Sequence, residues 1–281
     1  MLTKLPVIPF HLWLPEAHVE ASTEGSVLLA GLLLKLGGYG LIRILIPVFP
    51  TASFYFNSLI FVIGFISVFY ASVSLFNQID LKKIIAYLSI IHMNIFLLGI
   101  FSFNSESAIG SIFLLFSHGL LSSAFFMIIG FIYEKFHSRN TYYFFGLNNK
   151  PRFIFVLFLI FLANISFPGT SSFVCELLIF IGLINKNIFL IFLIIFITIL
   201  AAVYVALTYV KIAFGINDFF FFFFNIKYYK FYWFKRLDLS VKQSLILNLL
   251  IFINMILGIF PIFYTQLINI LVLNILNLYI I

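Results

Sequence analysis

The run His11-Leu-Trp-Leu-Pro-Glu-Ala-His-Val-Glu-Ala-Ser22 places polar, proline-broken backbone among long apolar stretches. Close behind it, Leu33-Leu-Lys-Leu-Gly-Gly-Tyr-Gly40 sets a single lysine inside an apolar run. Lipid offers no partner to a freed backbone group. A broken helix at membrane depth is therefore shielded by protein or lines a wet cavity. An ionisable residue within a span points to function by default. A second break, Ser166-Phe-Pro-Gly-Thr-Ser-Ser172, interrupts another apolar stretch and is followed by Glu176. Paired breaks at Pro15 and at Pro168-Gly169 suggest a repeated transporter architecture with an ion path at the breaks.

The rest of the chain is apolar enough to make the membrane its only plausible solvent. It is 64% hydrophobic and 9% charged, with a mean hydropathy of +1.20. Soluble domains do not have this composition. A span needs about 20 apolar residues, and on that rule the chain reads as an all-α, polytopic bundle. A broken helix covers roughly 1–22. Spans follow at about 24–48, 53–76, 82–101 and 107–133. A broken stretch covers 152–183, and further spans run about 187–213 and 243–264. The segment 214–242 reads as a loop, with Phe219–Phe224 dipping into the interface or packing on a partner. A short apolar tail with Asn269, Asn274 and Asn277 closes the chain. Four units follow: 1–48, 49–213, 214–242 and 243–281.

Loop charges orient the bundle. One face, side A, collects Lys82, Lys83, Lys135, Arg139, Lys150, Arg152, Lys211, Lys227, Lys230, Lys235, Arg236 and Lys242. The other face keeps Lys186 and Arg43. Side A is then the cytoplasm-equivalent face. The net charge of +7 is a topology signal of this kind and does not indicate nucleic-acid binding. With Cys175 as its one cysteine, the chain has no internal disulfide and no cysteine-built metal site. No glycine-rich nucleotide loop or flavin fingerprint is present. No redox centre or metal is expected in this chain.

Once the loop charges are set aside, Lys4 and Lys35 remain. Helical spacing puts Gly31 and Gly38 on the face of Lys35, leaving room for water or a close neighbouring helix. Desolvation makes such an ammonium a usable proton carrier. The competing readings are a side chain that snorkels or one that merely pairs with an acid. Glu176 either partners a base from another helix or satisfies the break. His118, with Ser111 and Ser122 on its face, and His92, with Ser89 one turn back, either relay protons or pack as hydrogen-bonded histidines. Glu134, Lys135, His137 and Arg139 close a span at the surface, where they are solvated or meet a partner. Asn248 and Asn254 are placed for interhelical hydrogen bonds.

At these residues the sequence resembles the Mrp antiporter-like membrane subunits of respiratory complex I, NADH:ubiquinone oxidoreductase. The carrying motifs are the run Lys4 to Ala21, Leu33 to Gly40, Lys83 to Asn94 and His118-Gly-Leu, together with Tyr133-Glu, His137-Ser-Arg139 and Phe173-Val-Cys-Glu176. Ala17-His-Val and Lys-Leu-Gly-Gly-Tyr-Gly favour the subunit 4 branch over its paralogues 2 and 5. The resemblance runs from Lys4 to about Lys211. It implies two inverted five-helix repeats crossed by a hydrated polar axis. On that axis Lys4 and Lys35 are the lysines, His118 is a relay and Glu176 is the acid of the second broken helix. It also implies membrane-arm partners, including subunits 2 and 5, and a mitochondrial inner-membrane location. NADH, FMN, iron–sulfur clusters and ubiquinone would sit on other subunits. The family's first six helices are expected on a separate polypeptide; the rival expectation is a degenerated subunit that serves only as a structural remnant without pumping. Ser22, Glu24 and Cys175 depart from the family's usual proline, small apolar residue and glycine.

Overall fold

The computed structural model describes residues 3–143, 146–147, 150–186, 188–215 and 238–276, and these are helical with irregular connections. The elements are α1 (Trp13–Glu20), α2 (Thr23–Val48), α3 (Pro50–Tyr55), α4 (Asn57–Leu75), α5 (Leu81–Phe101) and α6 (Ser105–Phe136). They continue with α7 (Pro151–Asn164), α8 (Ser171–Ile184), α9 (Ile188–Phe214), α10 (Val241–Ile259) and α11 (Pro261–Leu276). Six of them, α2, α4, α5, α6, α9 and α10, are long and apolar enough to cross a membrane. The chain is a multi-span membrane protein.

Helix α5 is apolar on every side, and a helix of that kind belongs in the middle of a bundle. It lies there, buried along its length except at Lys83, with α1, α4, α6 and α8 around it. The outer faces of α4, α9 and α10 expose rows of large apolar side chains, such as Phe189, Phe192 and Phe196 on α9. Lipid is the natural solvent for such rows.

The breaks fall close to where the sequence puts them, with one correction. Pro15 does not interrupt a helix. It sits in the first turn of α1, where its missing N–H would have no helical partner anyway. The irregular backbone is residues 3–12, and side chains of neighbouring helices supply its hydrogen bonds. Ser67 Oγ accepts from Ile8 N at 2.9 Å, and Asn94 Nδ2 donates to Pro6 O at 3.1 Å. Trp13 Nε1 reaches Thr3 O at 3.0 Å. Ser22 caps α2 by accepting from Gly25 N at 3.2 Å, a use of the hydroxyl that a proline there could not supply.

The second break, 165–170, separates α7 from α8. It carries Ser166 and Gly169 in the left-handed region, at φ 59° and 99°. Thr170 and Ser172 turn their hydroxyls on Phe167 O (2.7 Å) and Ala163 O (2.5 Å). Asn254 of α10 donates to Ser171 Oγ at 2.8 Å. The interhelical role expected for Asn254 is therefore present, whereas Asn248 is exposed.

Other expectations need correcting. The span at 53–76 is bent at Phe56 into α3 and α4. The last long span stops at Ile259, because Pro261 cannot continue it and instead opens α11. Residues 261–276 thus form a separate helix and not the end of a span followed by a tail. Helix α11 folds back on α6, where Tyr264 stacks near Phe113 and Phe116 with ring centroids 5.0 and 5.2 Å away. Phe219–Phe224 lie outside the described residues.

Two side-A segments join directly: Leu81 N bonds Arg139 O, Thr141 N bonds Ile79 O, and Asp80 bridges Asn140. Lys82 is no solvated loop charge. It is 2% exposed, and its Nζ donates to Ala21 O at 2.7 Å and Ser26 Oγ at 3.3 Å. Arg139 Nη1 donates to Val19 O at 2.6 Å, and Lys135 Nζ donates to Asp238 O. Two cations therefore satisfy carbonyls at the C-terminal end of α1, where positive charge also complements the helix dipole. Lys82→Met keeps the volume but leaves Ala21 O unpaired. A loss of about 1–3 kcal/mol is expected, read as a lower thermal midpoint of the assembled protein. An unchanged midpoint would mean that α1 needs no clamp from α5.

Candidate functional site

Helix α2 is not an unbroken α-helix. Wider π turns at Leu29–Leu33 and Leu41–Leu45 flank the segment that carries Lys35. Such turns commonly mark functional positions. The first lets the Lys35 ammonium reach back to Ala30 O at 2.5 Å. Its second partner is His118 Nδ1 of α6, 2.8 Å away. While Lys35 is an ammonium it only donates, so Nδ1 then accepts and a neutral His118 carries its proton on Nε2. Room for the lysine stem comes from Gly119, whose hypothetical β-carbon would lie 3.4 Å from Lys35 Cε. Gly38 packs directly on Leu115 and Phe96, so the small residues beside Lys35 admit a close neighbouring helix.

From His118 the line continues. The His92 ring of α5 lies 5.5 Å from the His118 ring, centroid to centroid. His92 Nδ1 stands 3.2 Å from a Glu176 carboxylate oxygen on α8. Its Nε2 stands 3.1 Å from Asn164 Oδ1, at the last residue of α7. Lys35, His118 and His92 sit near the midpoints of the apolar helices Thr23–Val48, Ser105–Phe136 and Leu81–Phe101. They form a line across the bundle near its mid-depth that ends at the second break. A cavity of about 290 Å³ opens there, lined by His92, Asn164, Ser166, Glu176 and Thr198 among apolar side chains. The Ser166 hydroxyl is buried without a protein partner. A cavity of this size and lining has room and partners for water.

Not every expected residue joins this line. Lys4 lies outside any helix and is exposed, and its Cβ stands against Gly37, two residues past Lys35. The Ser89 and Ser122 hydroxyls donate to carbonyls of their own helices, Ala86 O at 2.7 Å and Gly119 O at 3.4 Å. Cys175 is buried with Sγ 3.6 Å from Ser117 Oγ. Asn164 was absent from the sequence reading. Its position, four residues before Pro168 at the mouth of a break, was the available signal. His11 and His18, which the resemblance covers only as part of a motif, are buried against Tyr70 and Phe126.

The arrangement places an amine, two imidazoles and a carboxylate, all able to hold or pass a proton, in one line. Residues 1–202 match the family described as NADH:quinone oxidoreductase/Mrp antiporter, transmembrane region. The chain is 47% identical over 213 residues to NADH-ubiquinone oxidoreductase chain 4 of Acanthamoeba castellanii, covering 75% of this chain and 43% of that protein. It is 50% identical over 185 residues to the same-named chain of Chondrus crispus, covering 66% and 38%. It thus spans less than half the length of these relatives. Among solved structures, a chain of respiratory complex I from Thermus thermophilus with bound NADH superposes with a TM-score of 0.85 at 25% identity. That match covers 99% of this chain and 56% of the other. A chain of the Mrp complex from Dietzia sp. shares the fold, with a TM-score of 0.82 at 18% identity over 99% of this chain and 57% of the other. The chain belongs to the NADH:quinone oxidoreductase/Mrp antiporter transmembrane family.

Proposed function

We propose that this chain forms part of a proton-translocating, non-redox membrane subunit of NADH:ubiquinone oxidoreductase. The observation that carries this reading is the connected line Lys35–His118–His92–Glu176 at mid-depth of the bundle. An amine, two imidazoles and a carboxylate are the groups whose proton affinities respond most to a change in neighbouring charge. Charge shifted along the line by redox energy released elsewhere would alternate the proton affinity of Lys35. A proton would enter from side A and leave at the opposite face. NADH, FMN, iron–sulfur clusters and ubiquinone would belong to other subunits, and this chain would need no cofactor of its own.

The exposed face carrying Lys4, Leu32, Leu36 and Tyr39 would be covered by further helices of such a subunit, on this or another polypeptide. Lys4 would act together with them. Neighbouring membrane-arm subunits, including the antiporter-like subunits 2 and 5, would be its partners in a mitochondrial inner membrane. The test is gentle detergent extraction of the intact assembly, identification of copurifying chains by mass spectrometry, and reconstitution into vesicles. Copurification with NADH- and quinone-binding chains, and proton uptake driven by NADH, are expected. Cation–proton exchange without NADH, in an assembly lacking redox chains, would make the protein a free antiporter instead.

A further inference from the structure

The two halves of the second broken helix meet on one imidazole. Asn164 is the last residue of the first half, and its amide oxygen stands 3.1 Å from His92 Nε2. Glu176 belongs to the second half, and its carboxylate stands 3.2 Å from His92 Nδ1. A carbonyl oxygen only accepts, so the partner of Asn164 Oδ1 is a protonated Nε2. The hydrogen bond made by one ring nitrogen sets the protonation of the other. With Nε2–H held by Asn164, the Nδ1 of a neutral His92 is left bare, 3.2 Å from the Glu176 carboxylate and without a hydrogen bond of its own. A proton exchanged across that contact would rest either on Glu176 or on the imidazolium.

We infer that Asn164 is a positioning residue that makes His92 a proton store, loaded and unloaded at Nδ1 in exchange with Glu176. This rests on the proton-translocating reading above. A through-ring relay takes up a proton at one nitrogen and releases one from the other. Asn164 closes that route, because an amide oxygen cannot carry a proton onward from Nε2. A proton arriving from the side of His118, whose ring centroid lies 5.5 Å from that of His92, is therefore taken up within the Nδ1–Glu176 pair and not at Nε2. It leaves by way of the carboxylate, which lines the cavity together with Ser166 and Thr198. Ile165 N, Ser166 N and Phe167 N all bond back to carbonyls of α7, so the backbone that carries Asn164 is held at the break.

Two measurements on the assembled complex test this. The first is the nitrogen-15 spectrum of His92 in protein labelled with 15N-histidine, isolated as the difference from the His92→Gln variant. A protonated Nε2 with Nδ1 bare or sharing its proton is expected. A neutral ring protonated at Nδ1 with a bare Nε2 would overturn the assignment, whether or not the complex pumps. The second is Asn164→Asp, which keeps the shape of the side chain but replaces the amide by a carboxylate. A neutral store cannot persist between two carboxylates. Proton transport through this chain is expected to fall about 10-fold or more, the scale seen when a group orienting a functional side chain is changed, with assembly and NADH oxidation retained. Wild-type protons per NADH in Asn164→Asp would overturn the proposal where Lys35→Ala is defective. Wild-type coupling in both variants would instead remove the pumping reading on which it rests.

Discussion

Lys35→Ala is expected to abolish proton transport through this chain, by about 100-fold or more, while leaving the complex assembled. The magnitude is what a positioned proton-transfer group ordinarily contributes. Assembly survives because the lysine is a thermodynamic burden. An ammonium at the centre of an apolar helix costs about 2.5–3.5 kcal/mol, and here it is offset by two acceptors, Ala30 O and His118 Nδ1. Removing it relieves that cost. His118 Nδ1 then loses its donor at a cost of about 1–3 kcal/mol, which the relief of the buried charge offsets, and Gly119 and Gly31 still close the helix crossing. Lys35→Met, which fills the volume of the stem, separates a packing effect from a proton effect and is expected to behave like the alanine variant. The measurement is protons taken up per NADH oxidised in reconstituted vesicles. Normal assembly with the wild-type ratio in both variants would sink the proton-translocating reading.

Much of this architecture is legible in the sequence, for physical reasons. Apolar length alone locates the spans, because backbone in lipid must be helical over about 20 residues. The boundaries drawn for 82–101 and 24–48 agree with α5 and α2 to within a residue or so. Breaks are legible because proline and glycine announce them; mid-span position marks out Lys35 and His118, and the second break marks out Glu176. What is not legible is pairing across distant helices. Lys82 and Lys83 look alike as loop charges, yet only the three-dimensional approach of Ala21 O and Ser26 buries Lys82. His92 appears in the sequence as one histidine among five. Its central place comes from α5 lying in the middle of the bundle between Asn164 and Glu176. The π turns around Lys35 have no compositional mark that separates them from ordinary α-helix, since leucine, alanine and glycine serve both. Apolar continuity runs through 243–264 and hides the stop at Pro261, and the packing of Tyr264 on α6 depends on tertiary contacts no local pattern encodes.

Gly258→Ala is expected to weaken the protein, although helix propensity predicts the opposite. Alanine in place of glycine within a helix is intrinsically favourable by about 1 kcal/mol. At Gly258, however, a β-carbon would lie 2.4 Å from Thr170 C, 2.5 Å from Gly169 O and 2.6 Å from Ser171 N. All three are backbone atoms of the second break, which no rotamer change can move aside. One turn earlier, Asn254 anchors the same break through Ser171 Oγ. Relief therefore requires α10 to withdraw from the break, at a cost of about 1–3 kcal/mol for overpacking together with the loss of the Asn254 bond. Because Ser171 opens the helix that carries Glu176, the displacement reaches the carboxylate facing His92. The expected result is a lower thermal midpoint and a lower yield of assembled complex, with fewer protons per NADH in the fraction that assembles. Ile256→Ala, on the exposed side of the same helix, serves as the control and should change little. If Gly258→Ala were as stable as the parent or more so, propensity would have won, and α10 would not be seated on the break as tightly as the contact at Thr170 requires.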